Sequence, residues 1–136
     1  MSARLLERDL EIETLNARMS EGLYRTSKER KEDPTLEFLY RSAGPIWYRG
    51  MVCADEKYDP LTPEQTGALL RRYDADRLLV GHTIFPDIST FHDGRVIAVN
   101  VQNDLNRRKN RGRAVLIEGS RISVVGNRGV KRVLEE

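Results

Sequence analysis

The chain has 136 residues, 39% of them hydrophobic and 32% charged, enough for one domain with a core. Its 23 basic and 21 acidic residues leave a formal charge of +2, too little to mark a nucleic-acid protein by charge alone. The single cysteine, Cys53, excludes an intrachain disulfide, and no apolar run is long enough to span a membrane.

In chain order, Leu15, Met19 and Leu23 recur every fourth residue, with Leu5, Leu6, Leu10 and Ile12 upstream. This predicts one amphipathic helix over 5–23. Residues 25–33 are wholly polar and read as a loop or a fraying helix end. Asp33-Pro34 starts a second short helix that turns Leu36, Leu39 and Tyr40 inward, and Gly44-Pro45 ends it. Ile46-Trp47-Tyr48 reads as a short strand. Thr62-Pro63-Glu64-Gln65 is a capping box with proline in the first turn, so a helix runs from there to about Tyr73.

Beyond that point the pattern changes to strands. Arg77-Leu78-Leu79-Val80-Gly81 is a buried strand that ends at a glycine. Asp93-Gly94 is a hairpin turn with Val96-Ile97-Ala98-Val99 returning from it. Residues 114–117 and 122–125 flank Glu118-Gly119-Ser120 as a second hairpin. The whole reads as one α/β domain over 1–136: a helical segment over 1–43, then over 44–126 a helix–strand unit followed by β-hairpins.

Two segments carry candidate chemistry. Val80-Gly81-His82-Thr83 places an imidazole at the C-terminal end of a strand, the edge where α/β proteins favour ligands. A lone histidine there is more often a surface or hydrogen-bonded group than a metal ligand. Trp47-Tyr48-Arg49-Gly50 puts a permanently charged, planar guanidinium between an aromatic pair and a glycine, which suits a phosphate. Its bland reading is a surface arginine beside a packed Trp-Tyr pair. His92 precedes the Asp93-Gly94 turn and reads as a turn residue, and Cys53 reads as a small, partly buried side chain. Arg107-Arg108-Lys109-Asn110-Arg111-Gly112-Arg113 is a basic run that reads first as a solvated loop; no aromatic residue interleaves it.

Taken in order, Leu15-Asn16-Ala17, Trp47-Tyr48-Arg49-Gly50, the capped helix, Val80-Gly81-His82-Thr83 and the Asp93-Gly94 hairpin resemble the C-terminal portion of calcineurin-like metallophosphoesterases, in the Shewanella-like, bacterial-type protein phosphatase branch. The resemblance spans roughly residues 10–125. It implies the C-terminal half of a metallophosphoesterase-type β-sandwich flanked by helices. It implies a metal-dependent phosphatase with two divalent ions (Mn, Fe or Zn), a metal ligand at His82 and a substrate phosphate clamp at Arg49, with no catalytic acid or base assigned. Such a metal pair activates water and neutralises charge on the transferred phosphoryl group. The family's Asp-x-His, Gly-Asp-x-x-Asp-Arg and Gly-Asn-His-Glu segments have no counterpart here, and Gly126-Asn127-Arg128-Gly129 reads as a turn. The chain alone is therefore expected to bind metal poorly and to hydrolyse little.

The expected partners are a phosphate ester or phosphoprotein, and either a missing N-terminal half or another copy. The start Met1-Ser2-Ala3-Arg4 resembles no signal peptide, so a cytoplasmic location is expected, with no membrane partner. The alternative is a non-catalytic module that binds through the 107–113 loop. Nucleic acid is its candidate ligand, although the sequence argues against that ligand.

Overall fold

The computed structural model describes residues 3–135. The chain divides into two compact units, Met1–Arg77 and Leu78–Glu136.

The first unit is helical. Its elements are α1 (Ala3–Leu6), α2 (Ile12–Leu23), α3 (Ser27–Glu32), α4 (Pro34–Tyr40) and α5 (Pro63–Arg72), with a 3-10 turn at Glu56–Tyr58. The single helix expected over 5–23 is broken. Asp9 takes a φ of 40°, a left-handed conformation that cannot propagate a right-handed helix. The break is tied down by the far end of α5. The Arg72 guanidinium bonds Asp9 and Glu11 at 2.8 Å each, and the Tyr73 hydroxyl donates to the Leu10 carbonyl at 3.0 Å.

Two further expectations in this unit need correction. The polar stretch 25–33 is not a loop. Thr26 and Glu29 form a reciprocal capping box that starts α3, a helix with no buried residue. Ile46-Trp47-Tyr48 is a turn and not a strand: the Gly44 carbonyl accepts from the Trp47 and Tyr48 N–H groups at 3.2 and 2.9 Å. The other two helix starts are as expected. Asp33 caps α4 by accepting from the Thr35 and Leu36 N–H groups, and Thr62 and Gln65 cap α5 reciprocally. Leu5, Leu15, Leu36, Leu39, Leu61 and Leu69 are buried, while Leu23, placed inward by its spacing, is 71% exposed.

The second unit contains two small sheets. In the first, β3 (Val96–Ala98) lies between β1 (Leu78–Val80), parallel to it, and β2 (Ser89–Phe91), antiparallel to it. The expected Asp93-Gly94 turn joins β2 to β3, with Asp93 and Gly94 both at positive φ. The second sheet is antiparallel: β4 (Arg113–Glu118) pairs with β5 (Arg121–Gly126), and β5 pairs with β6 (Lys131–Glu135). A short helix, α6 (Asn103–Arg108), precedes it. Ile88, Ile97, Val101, Ile122 and Val124 make one apolar cluster shared by both sheets. Helices with two small sheets make the chain α/β, as expected. Among the described residues no helix is long and apolar enough to cross a membrane.

Candidate functional site

Arg49 lies in the first unit, on a run of turns between α4 and α5. Its carbonyl accepts from the Val52 and Cys53 N–H groups at 3.0 and 2.9 Å, which folds the chain back on itself. The returning segment is pinned twice. The Tyr48 hydroxyl donates to the Asp59 carbonyl at 2.7 Å, and the Leu61 N–H donates to the Gly50 carbonyl at 3.1 Å. Gly50 is required here because a Cβ would run into the Tyr48 ring. Burial, and after it the nearby Asp59, push the Tyr48 hydroxyl above its usual range, so it remains a neutral donor.

This folding brings Arg49 to Tyr58. The guanidinium carbon lies 6.0 Å from the centre of the Tyr58 ring, at the outer limit of a cation–π contact. Lys57 sits at the same ring, with its Nζ 4.9 Å from the ring centre. The Lys57 ammonium also pairs with Asp55 at 2.8 Å, and that hydrogen bond leads the causes that raise its pKa. Two cations thus share one aromatic ring, Lys57 with its charge already paired to Asp55 and Arg49 with none paired among the described residues. Arg49 makes no ion pair among the described residues, so its planar fork can receive a phosphate. Sequence reasoning found Arg49 and missed Lys57 and Tyr58. The available signal was Asp55-Glu56-Lys57, whose Asp55 side chain accepts from the Lys57 N–H and starts the 3-10 turn.

His82 lies in the second unit, separated from the end of β1 by Gly81, and is exposed. The expected sharp turn is present, but the histidine makes it rather than the glycine. His82 has a φ of 68°, and a Cβ on Gly81 would meet nothing within 4 Å. His92 is half-buried in the β2–β3 turn with a φ of 53°. Cys53 is half-buried with a free thiol. The basic run splits between the last turn of α6 and the turn after it. Arg107, Arg108, Lys109 and Arg111 are exposed, whereas Arg113 pairs with Asp87 at 2.9 Å. No group of three or more His, Cys, Asp or Glu side chains able to hold a metal ion occurs among the described residues.

No protein-family model and no curated protein sequence matches the chain. Solved structures do match. A cold-active protein tyrosine phosphatase, solved at 1.1 Å, is 24% identical over 100% of the chain with a TM-score of 0.80. The cold-active protein tyrosine phosphatase of a psychrophilic Shewanella species and a point mutant of cold-active protein tyrosine phosphatase are each 23% identical over 99% of the chain, also at 0.80. At this identity the likeness shows the fold. The chain spans 38% of the length of each of these proteins.

The comparison corrects the expectations drawn from the calcineurin-like resemblance. The structures matched by the chain are protein tyrosine phosphatases, which overturns the expected membership of the calcineurin-like metallophosphoesterases and leaves the half-sandwich without support. The same matches overturn the expectation of two divalent metal ions. The physical reason is that the quoted motifs are short and local. Trp47 and Tyr48 close a turn on the Gly44 carbonyl, Arg49 opens the next turn, and Gly81–Thr83 is a third, closed by the Thr83 N–H on the Gly81 carbonyl at 2.9 Å. A lone imidazole without clustered carboxylates or further imidazoles cannot hold a metal pair. What the solved structures support is the α/β fold over the full length of the chain.

Proposed function

We propose that this chain is part of a phosphatase acting on phosphate esters, phosphotyrosine in peptides among them, in the cytoplasm. One observation carries the reading: the whole chain matches cold-active protein tyrosine phosphatases at a TM-score of 0.80. The Arg49 loop supports it. A guanidinium with no ion pair among the described residues, beside the Tyr58 ring, offers two parallel donors to a phosphate dianion. In this reading Arg49 holds the substrate phosphate.

The chain spans 38% of the length of its structural relatives, and the reading includes low turnover by these 136 residues alone. The missing contribution is the N-terminal half of such a protein or another copy of the chain. Light scattering distinguishes these arrangements: a strict monomer removes self-association from the reading.

The test is O-phosphotyrosine binding by calorimetry, with p-nitrophenyl phosphate hydrolysis followed alongside in metal-free and metal-supplemented buffer. A charge-assisted bidentate contact of roughly 1.5–3 kcal/mol predicts that Arg49→Ala weakens binding by about 10- to 150-fold. Arg49→Lys, which keeps the charge but loses the fork, should fall between. His82→Ala, measured in the same assays, tells whether the second unit adds to turnover. Equal affinity in wild type and Arg49→Ala would remove the phosphate clamp.

A further inference from the structure

The first unit holds a cleft of about 340 Å³ lined by residues 23–47, outside the 48–61 loop. This is near the lower end of the roughly 300–1,000 Å³ range of ligand sites. Its apolar wall includes Leu23, Tyr40 and Trp47. Leu23 is 71% exposed and Trp47 52% exposed, so two large apolar side chains face water around a concavity. Surface of that kind marks a contact site more often than an isolated exposed leucine does.

The floor is built and held. The Tyr40 ring covers Gly22, where a Cβ would collide with it, and the Tyr40 hydroxyl donates to the Met19 carbonyl at 2.6 Å. Arg30 lies over the same ring at 4.5 Å and donates to the Gly22 carbonyl at 3.2 Å. The cleft therefore presents an aromatic surface whose orientation is set before any ligand arrives.

Charge selects the occupant. Arg30, Lys31 and Arg41 line the cleft against the single carboxylate of Glu37. Glu37 is already engaged by Arg41 at 2.5 Å, and Lys31 has no ion pair among the described residues. An incoming group is thus met by excess positive charge around an apolar, aromatic wall. We propose that this cleft docks an acidic peptide segment through one aromatic side chain. The ring packs between Leu23 and Trp47, and flanking carboxylates face Lys31 and Arg41. The proposal is independent of the phosphatase reading, because binding alone reads it.

Trp47 is the chain's single tryptophan, so its fluorescence reports occupancy directly. The whole chain is titrated with an acetylated Glu-Glu-Phe-Glu-Glu amide, with the same peptide carrying Ala for Phe, and with Lys-Lys-Phe-Lys-Lys. The acidic Phe peptide should give a saturable blue shift. The other two should bind at least about tenfold more weakly. The exposed pair Lys31→Glu with Arg41→Glu should invert the charge preference, and Lys31→Ala alone should weaken the acidic peptide. Circular dichroism confirms that each variant keeps its helices. No saturable shift with the acidic Phe peptide, an equal response to the lysine peptide, or no change in the charge variants would each overturn the proposal.

Discussion

The two units reach their structures by different means. In the first, three helices begin at side-chain caps built from residues two or three positions apart: Thr26 with Glu29, Asp33 with Thr35 and Leu36, and Thr62 with Gln65. In the second, β3 owes its place to β1 and β2, and its partner Leu78 lies well upstream of Val96 in sequence. Local caps fix where the helices of the first unit start, while its stability also rests on buried side chains such as Leu36, Leu39 and Leu69. In the second unit strand pairing gathers Ile88, Ile97, Val101, Ile122 and Val124 from segments distant in sequence.

The largest test of that contrast is core truncation. Ile97 is 2% exposed at the centre of the first sheet, and Leu39 is fully buried in α4. Each change to alanine should cost about 2–5 kcal/mol. Hydrogen exchange resolved by residue should show where the loss falls. Ile97→Ala should strip protection from β1, β2 and β3 together, whereas Leu39→Ala should act first on α4. Equal loss along the whole chain from either change would mean that the division into units has no energetic counterpart.

A middle-sized effect separates two similar caps. Thr62→Ala removes the cap of a helix that buries Leu69 and Leu70, and should cost ~1 kcal/mol of stability in urea titration. Thr26→Ala removes the same device from α3, which buries nothing. It should fray α3 by NMR shifts and leave the urea midpoint nearly unchanged. Matched midpoint shifts for the two changes would show that α3 contributes more than its exposure indicates.

The smallest effect is in acid. Among the described residues, Glu11, Glu29, Asp33 and Asp55 in the first unit have lowered pKa values, while only Glu118 does in the second. Asp33 is held down first by the Arg18 hydrogen bond and then by the Leu36 N–H. A carboxyl lowered by folding stabilises the folded state above its unfolded pKa and loses that effect as pH falls through the folded one. The unfolded value is about 3.9 for aspartate and 4.3 for glutamate. Amide protection should therefore begin to fall below pH ~4, in the first unit before the second. Asp33→Asn should flatten that fall for α4. Simultaneous loss in both units would break the asymmetry.

Legibility followed the same division. The caps of α4 and α5 were readable because each is a contact between near neighbours in sequence. The α3 cap was equally local, yet the unbroken polarity of 25–33 hid it. Apolar character misled at Ile46-Trp47-Tyr48, where a turn closed on Gly44 leaves Trp47 half-exposed, and at Leu23, which faces the cleft. β6 carries only Val133 and Leu134 between charged residues, so it is a strand through its pairing with β5 and not through its own pattern. At the candidate site, Arg49 was visible by type and position, but the ring it shares with Lys57 was not.

The sequence by itself determined the starts of α4 and α5, the Asp93-Gly94 and Gly119-Ser120 reversals and the α/β class. All of these depend on neighbours a few residues apart or on composition. Only the tertiary structure decided which apolar residues lie inside, that His82 rather than Gly81 makes the turn after β1, and that Tyr58 gathers two cations. Burial and long-range pairing depend on where distant segments return. A pattern of residue types carries no record of that return until the chain has closed its loops.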